Sequence, residues 1–255
     1  MIRTAVDLEV RKTRRLRVWA LCLVMVVAVV VLAGLSLGSE ATRAGFADPD
    51  ARPWERLLLN HVMVAAMTSP ILVAVLAGRQ VDVEHQGQGW TLARTAGMGP
   101  GLLCRAKALV LGMALVSTVV AQCALLILAG TVAGIEPTPP LLLWGRYALC
   151  LTAVHLALLG LHLWLAARVD NQLVGLGVGL LGAFYAVFSL LMPSWMAYAL
   201  PWGYYAAISP LRMEGGDRLV ESHPDPVLFA LFLGGAAILF LVACRRLDRA
   251  EGGPA

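Results

Sequence analysis

Residues 108–134 read ALVLGMALVSTVVAQCALLILAGTVAG, without a charged side chain from end to end. A helix crosses the hydrocarbon core of a bilayer with roughly 20 apolar residues, so this run is long enough to span. It is continuously apolar, whereas a barrel strand alternates over about ten residues. The run therefore reads as a transmembrane α-helix. Five others pass the same test, at 18–38, 57–78, 141–167, 173–192 and 226–244. The expected fold is all-α, a polytopic integral membrane protein with six transmembrane helices in one domain over 1–255.

Composition agrees. A soluble domain carries about a quarter charged residues; here 14% are charged and 59% are hydrophobic, with mean hydropathy +0.77. Basic residues set the orientation. They crowd into 1–17, into 79–107 (Arg79, Arg94, Arg105 and Lys107), at Arg168, and after the last span (Arg245, Arg246 and Arg249). The opposite segments hold only Arg43, Arg52, Arg56, Arg146, Arg212 and Arg218. The positive-inside rule then predicts both termini in the cytosol. The net charge of +4 is a topology signal and does not imply nucleic acid as a partner.

The first span follows a basic run, as a secretory signal would, but its apolar core exceeds the usual 7–15 residues. It is expected to be an uncleaved anchor. The five cysteines fall in spans or at their cytosolic edges, which argues against a disulfide framework. Segment 1–17 spaces Ile2, Val6, Val10 and Leu16 loosely at helical intervals. It reads either as an interfacial segment with its arginines among anionic headgroups or as a frayed basic tail.

Within the spans, several polar or small residues stand out. Asn60 and His61 lie near the outer end of the second, with Thr68-Ser69-Pro70 at its middle, where a proline kinks a helix. His155 and His162 share one face of the fourth; without a carboxylate there they do not complete a metal site, and packing or a polar cavity is the plainer reading. In the fifth, Gly175 and Gly179 form a G-x-x-x-G extended by Gly182, a face for close helix packing. Segment 194–225 reads as an external loop whose first part, with Trp195, Trp202, Tyr204 and Tyr205, is re-entrant or interfacial.

Motifs for chemistry are missing. There is no G-x-x-x-x-G-K-[ST] phosphate loop, no H-E-x-x-H, no metal-spaced cysteine pair and no G-x-G-x-x-G. Gly34-Leu35-Ser36-Leu37-Gly38 matches G-x-S-x-G, but the serine ends an apolar helix instead of sitting on a strand-to-helix turn. Neither catalytic nor metal-binding residues are expected.

Between the second and third spans lies RQVDVEHQGQGWTLARTAGMGP, residues 79–100, the start of a polar segment over 79–106. Asp82 and Glu84, the break Gly87-Gln88-Gly89 and the large Trp90 have the character of an interface: carboxylates for basic groups, an aromatic for a partner's pocket. A solvated connector is the alternative. The pattern Glu84…Gly89-Trp90-Thr91-Leu92…Gly99-Pro100…Arg105-Ala106-Lys107 resembles type-2 ABC exporter permeases. Asn171 to Gly179, followed by Pro201-Trp202-Gly203-Tyr204-Tyr205, is similar more narrowly to lantibiotic-immunity permeases.

The resemblance implies a bacterial cytoplasmic-membrane exporter for a lantibiotic-like peptide or other hydrophobic compound. Two permeases, identical or sisters, would form the pathway in the lipid. Separate ABC ATPase subunits, holding ATP and Mg, would dock beneath; this chain would need no cofactor of its own. Glu84, Gly89, Trp90 and Arg94 are then the ATPase-coupling candidates, and Glu84→Lys or Trp90→Ala would uncouple without unfolding. Trp195, Trp202, Tyr204 and Tyr205 are the candidate substrate contacts. Two other classes remain: a stand-alone ion-coupled transporter, which would need buried carboxylates that the apolar cores lack, and a polytopic membrane enzyme.

Overall fold

In hydrocarbon every backbone N–H and C=O must be paired within its own segment, which forces long apolar runs into helices. The computed structural model describes residues 2–214 and 218–250, and six of its helices are long and apolar enough to cross a membrane. Helix α1 (Ile2–Arg15) precedes the first span, α2 (Val18–Gly34), which ends in a 3-10 turn at Leu35–Gly38. After the short α3 (Glu40–Arg43) come α4 (Pro53–Gln86), α5 (Gly89–Thr95) and α6 (Pro100–Ala133). Then follow α7 (Leu141–Arg168), α8 (Gln172–Leu191) and the short α9 (Ser194–Ala197) and α10 (Tyr204–Ala207). An antiparallel hairpin of β1 (Leu211–Glu214) and β2 (Arg218–Glu221) pairs Leu211 with Glu221. Helix α11 (Pro226–Ala250) closes the chain's described part.

Two spans are longer than the sequence predicts. At 34 residues each, α4 and α6 measure about 51 Å at 1.5 Å per residue, against a hydrocarbon core of about 30 Å. Helix α4 runs on through Arg79–Gln86 because that stretch holds neither glycine nor proline, and it stops where the Gly87 N–H bonds back to the Val83 carbonyl. Helix α6 starts early because Pro100 occupies its first turn, where a missing N–H costs nothing. Pro70 lies inside α4 without ending it.

The core is built on α4, which packs against α2, α7 and α8, while α6 packs against α1, α2, α7 and α11. Leu58, Val62, Leu72 and Val73 of α4 meet Leu111, Leu115 and Val119 of α6 and Leu151, Val154 and Leu158 of α7. The outward faces of α2 and α11 remain apolar, with Val24 and Leu239 largely exposed. Helices apolar on every side suit a lipid surround.

Segment 1–17 is helical over Ile2–Arg15 and packs on the bundle by one face. Ile2 and Val10 face outward, while Ala5, Glu9 and Thr13, four residues apart, form the buried face against α6. A polar face packs inward because its partner at this end of the molecule is also charged.

Candidate functional site

Where α1, the end of α4 and the start of α6 converge, two lysines and two glutamates are enclosed together. Lys107 Nζ donates to Glu9 Oε2 (2.8 Å), to Glu84 Oε1 (2.6 Å) and to the Gln80 carbonyl (2.9 Å), so all three ammonium protons are taken. Lys12 Nζ donates to Glu9 Oε1 at 2.8 Å and also to Glu84. Gln80 Nε2 donates to Glu9 Oε2 at 2.7 Å. Glu9, Gln80, Glu84 and Lys107 are buried, and only Lys12 reaches the surface.

The set is balanced, two positive against two negative. Desolvating an ion is expensive, and a buried pair is tolerable only where geometry and further hydrogen bonds compensate. Burial alone would lower the Lys12 ammonium's pKa, but its bonds to Glu84 and Glu9 outweigh that and hold it above the ordinary 10.5. Both buried carboxylates lie beyond the apolar cores of the spans.

Helix α5 is tied to this cluster. A Cβ at Gly89 would fall 2.0 Å from Glu84 Oε2 and 3.0 Å from the Glu84 Cα, so only glycine lets α5 start beside that carboxylate. Ala93 packs with Ala5 of α1 and Leu103 and Ala106 of α6. Trp90 is half-buried and touches the main core, this small cluster and a third one made by Cys104, Cys244 and Leu247. Its ring meets the His85 imidazole edge-on at 5.9 Å, and His85 pairs with Asp170 at 3.0 Å, between α7 and α8. Asp248 of α11 accepts the Gly101 N–H at 2.8 Å, a carboxylate at the start of α6 where the helix dipole favours one. A push on α5 therefore reaches α1, α4 and α6 through short, fully used contacts.

The coupling candidates are thus brought together but not onto one surface. Glu84 and Trp90 face inward, Gly89 sits at the junction, and Arg94 lies on the exposed side of α5. Glu84→Lys would place a third ammonium beside two others, and Trp90→Ala would open a gap between three clusters. That placement predicts a cost in stability for both variants, which a thermal midpoint would measure. The outward apolar group is Leu92, 66% exposed on a helix outside the spans; it stood in the quoted pattern but was passed over as a contact. Glu9, Lys12 and Gln80 were missed too; the four-residue spacing of Ala5, Glu9 and Thr13 is a signal for Glu9 alone.

At the opposite end the chain turns back beside α8. Trp202 lies against Gly182, where an added Cβ would meet the indole at 2.2 Å. Gly182 stands nine positions before Leu191, the end of α8, or about 13–14 Å of helix. Tyr204 stacks on Phe232 at 3.8 Å and Tyr205 is enclosed near His155, while Trp202 is half-buried and Trp195, 68% exposed, is the most open of the four. Tyr204 and Tyr205 are buried in this structure, at 7% and 1% exposure. A Cβ at Gly179 would meet Ala74 Cβ at 2.5 Å and the Pro70 carbonyl at 3.1 Å, whereas one at Gly175 would meet nothing within 4 Å. The close approach of α8 to α4 is thus at Gly179.

No curated protein matches the chain. A known family does, described as ABC-2 family transporter protein, over residues 5–189. The matched region opens inside α1 and closes in α8, taking in the whole ionic cluster and α5, and on this match the chain belongs to the ABC-2 family of transporter proteins.

Proposed function

We propose that this permease is driven by a separate ABC ATPase docking on α5, and that it exports a lantibiotic-like peptide or another hydrophobic compound. The observation that carries the docking is α5 itself. It is a short helix between two overlong spans, with Leu92 and Arg94 outward and Gly89 and Ala93 locked inward on Glu84, α1 and α6. An exposed leucine on a short helix outside the spans gives a partner an apolar anchor. ATP and Mg belong to that partner. A second copy of this chain or a sister permease completes the pathway, in a bacterial cytoplasmic membrane with both termini cytosolic.

Closure of the ATPase dimer would move α5, and the cluster at Glu84 would pass the motion to α1, α4 and α6 as a rigid-body shift. Trp195 is the residue best placed to meet cargo from the outer side.

Co-purification from the native host tests the docking. The unmodified chain is expected to bring down a P-loop ATPase in stoichiometric amount. Leu92→Glu should lose most of it while keeping its thermal midpoint, because that side chain supports nothing inside. Equal recovery with both forms would remove α5 as the docking helix.

A further inference from the structure

The histidine face of α7 has a property the ionic cluster lacks. Both ring nitrogens of His155 and of His162 are buried without a hydrogen-bond partner among the described residues. The same holds for Tyr205 Oη, Trp202 Nε1, Trp144 Nε1 and His61 Nδ1, and one further atom, Gln80 Oε1, belongs to the basic end. These orphans lie together. His155 faces the Tyr205 ring at 5.6 Å, His162 faces Trp202 at 6.3 Å, and His61 stacks on Trp144 at 6.2 Å. The indole N–H and phenol O–H are donors, and each neutral imidazole offers one donor and one acceptor nitrogen.

The inserted segment 194–208 is tied to α8, to α11 and to the strand and turn before α11, where Arg212 donates to Ser194 Oγ and the Asp225 N–H donates to Tyr198 Oη at 2.8 Å. Tyr185 Oη of α8 donates to the Met196 carbonyl at 2.6 Å, and Tyr204 Oη donates to the Leu228 carbonyl of α11 at 3.2 Å. Among the described residues no hydrogen bond joins the segment to α7, although rings on both sides carry polar atoms.

Most buried polar groups in folded proteins are paired, and one left without a protein partner calls for an explanation, a bound water among them. A buried water makes about three hydrogen bonds to such groups and fits where a larger ligand does not. We propose that the seam between α7 and the inserted segment is a hydration site, in which His155, His162, Tyr205 and Trp202 hold a short file of water molecules at mid-membrane depth. The water supplies the polar links between α7 and the segment, which otherwise meet through ring and apolar contacts. It lets the segment move against α7 by exchanging water bonds instead of breaking protein ones.

The site depends on the fold and not on the docking partner, so the test needs neither ATPase nor cargo. Radiolytic hydroxyl-radical footprinting, with the full chain in lipid nanodiscs, generates radicals from water where it is bound. Tyr205 and Trp202 should be oxidised within a few-fold of the rate at exposed Trp195, and far above lipid-facing Phe184. Labelling at the Phe184 level would overturn the proposal. The variant His155→Leu gives a second reading by sign. If water fills the seam, removing a water-holding imidazole lowers the thermal midpoint and reduces labelling at Tyr205. A raised midpoint with Tyr205 labelling unchanged would show a dry seam relieved of an unpartnered polar group, and would sink the idea.

Discussion

Lys107 and His155 are both enclosed in a membrane protein, and their surroundings differ in kind. Every proton of the Lys107 ammonium is directed at a protein oxygen, while neither nitrogen of the His155 ring has a partner among the described residues. The difference follows from charge. An unpaired buried ion is penalised far more heavily than an unpaired neutral group, so the basic end has to supply its own counter-ions from three helices. A neutral imidazole can leave its bonds to water. The first region is consequently rigid and indivisible, and the second is a surface along which parts can shift.

The largest expected effect comes from breaking the rigid region. Lys107→Met leaves Glu9 and Glu84 sharing one lysine inside the protein, a loss on the order of 3–5 kcal/mol. It should appear as a sharply lower thermal midpoint in detergent and a smaller folded fraction. The double variant Lys107→Met with Glu84→Gln should recover part of that loss, since it removes one charge of each sign. Additive losses in the double variant would mean that the two side chains are not energetically coupled. His155→Leu, by comparison, removes no charge, and its effect should be much the smaller of the two.

A middle-sized effect lies at the inner end of the seam. Gly179→Val drives a branched side chain into Ala74 and the Pro70 carbonyl, and overpacking of this kind costs about 1–3 kcal/mol. Gly175→Val, one helical turn away on the same G-x-x-x-G, should leave the midpoint unchanged because no atom stands within 4 Å of its Cβ. The pair separates packing inside the chain from packing between chains. If Gly175→Val abolishes self-association while Gly179→Val does not, the first glycine serves a second copy. Equal thermal losses would contradict the geometry at Gly175.

The six spans were legible because hydrocarbon leaves a run such as 108–134 no other solution. Their ends were less so. Residues 79–86 are polar and read as a connector, yet they continue α4, because the polar groups of Gln80 and Glu84 face Glu9 and Lys107 and not water. Nothing local in the sequence announces a contact between positions 9 and 107. The same limit applied to the outer aromatics. Their composition indicated a segment at the membrane, but not that Tyr205 would sit inside beside His155. The spacing of His155 and His162 marked one polar face, and its partners came from an element some forty positions later in the chain. Long-range pairing of polar groups is what composition and periodicity leave out.

Lys12 offers the finest distinction between the two regions, because it is the member of the ionic cluster that reaches solvent. Its ammonium is held above 10.5 by Glu84 and Glu9 against the opposing effect of burial. A raised folded-state value means that its contribution is complete below 10.5 and is lost as the pH climbs through the raised value. The clamp on α1 should therefore be insensitive to pH across the neutral range and loosen only in strong alkali. A fluorophore on Leu8→Cys, at an exposed position of α1, would report this as a fall in anisotropy above about pH 10.5. Lys12→Met should abolish that alkaline step and leave α1 slightly more mobile at every pH, with Lys107 still holding Glu9. A step that persists in Lys12→Met would assign the titration to another group and leave Lys12 as a bystander to the cluster.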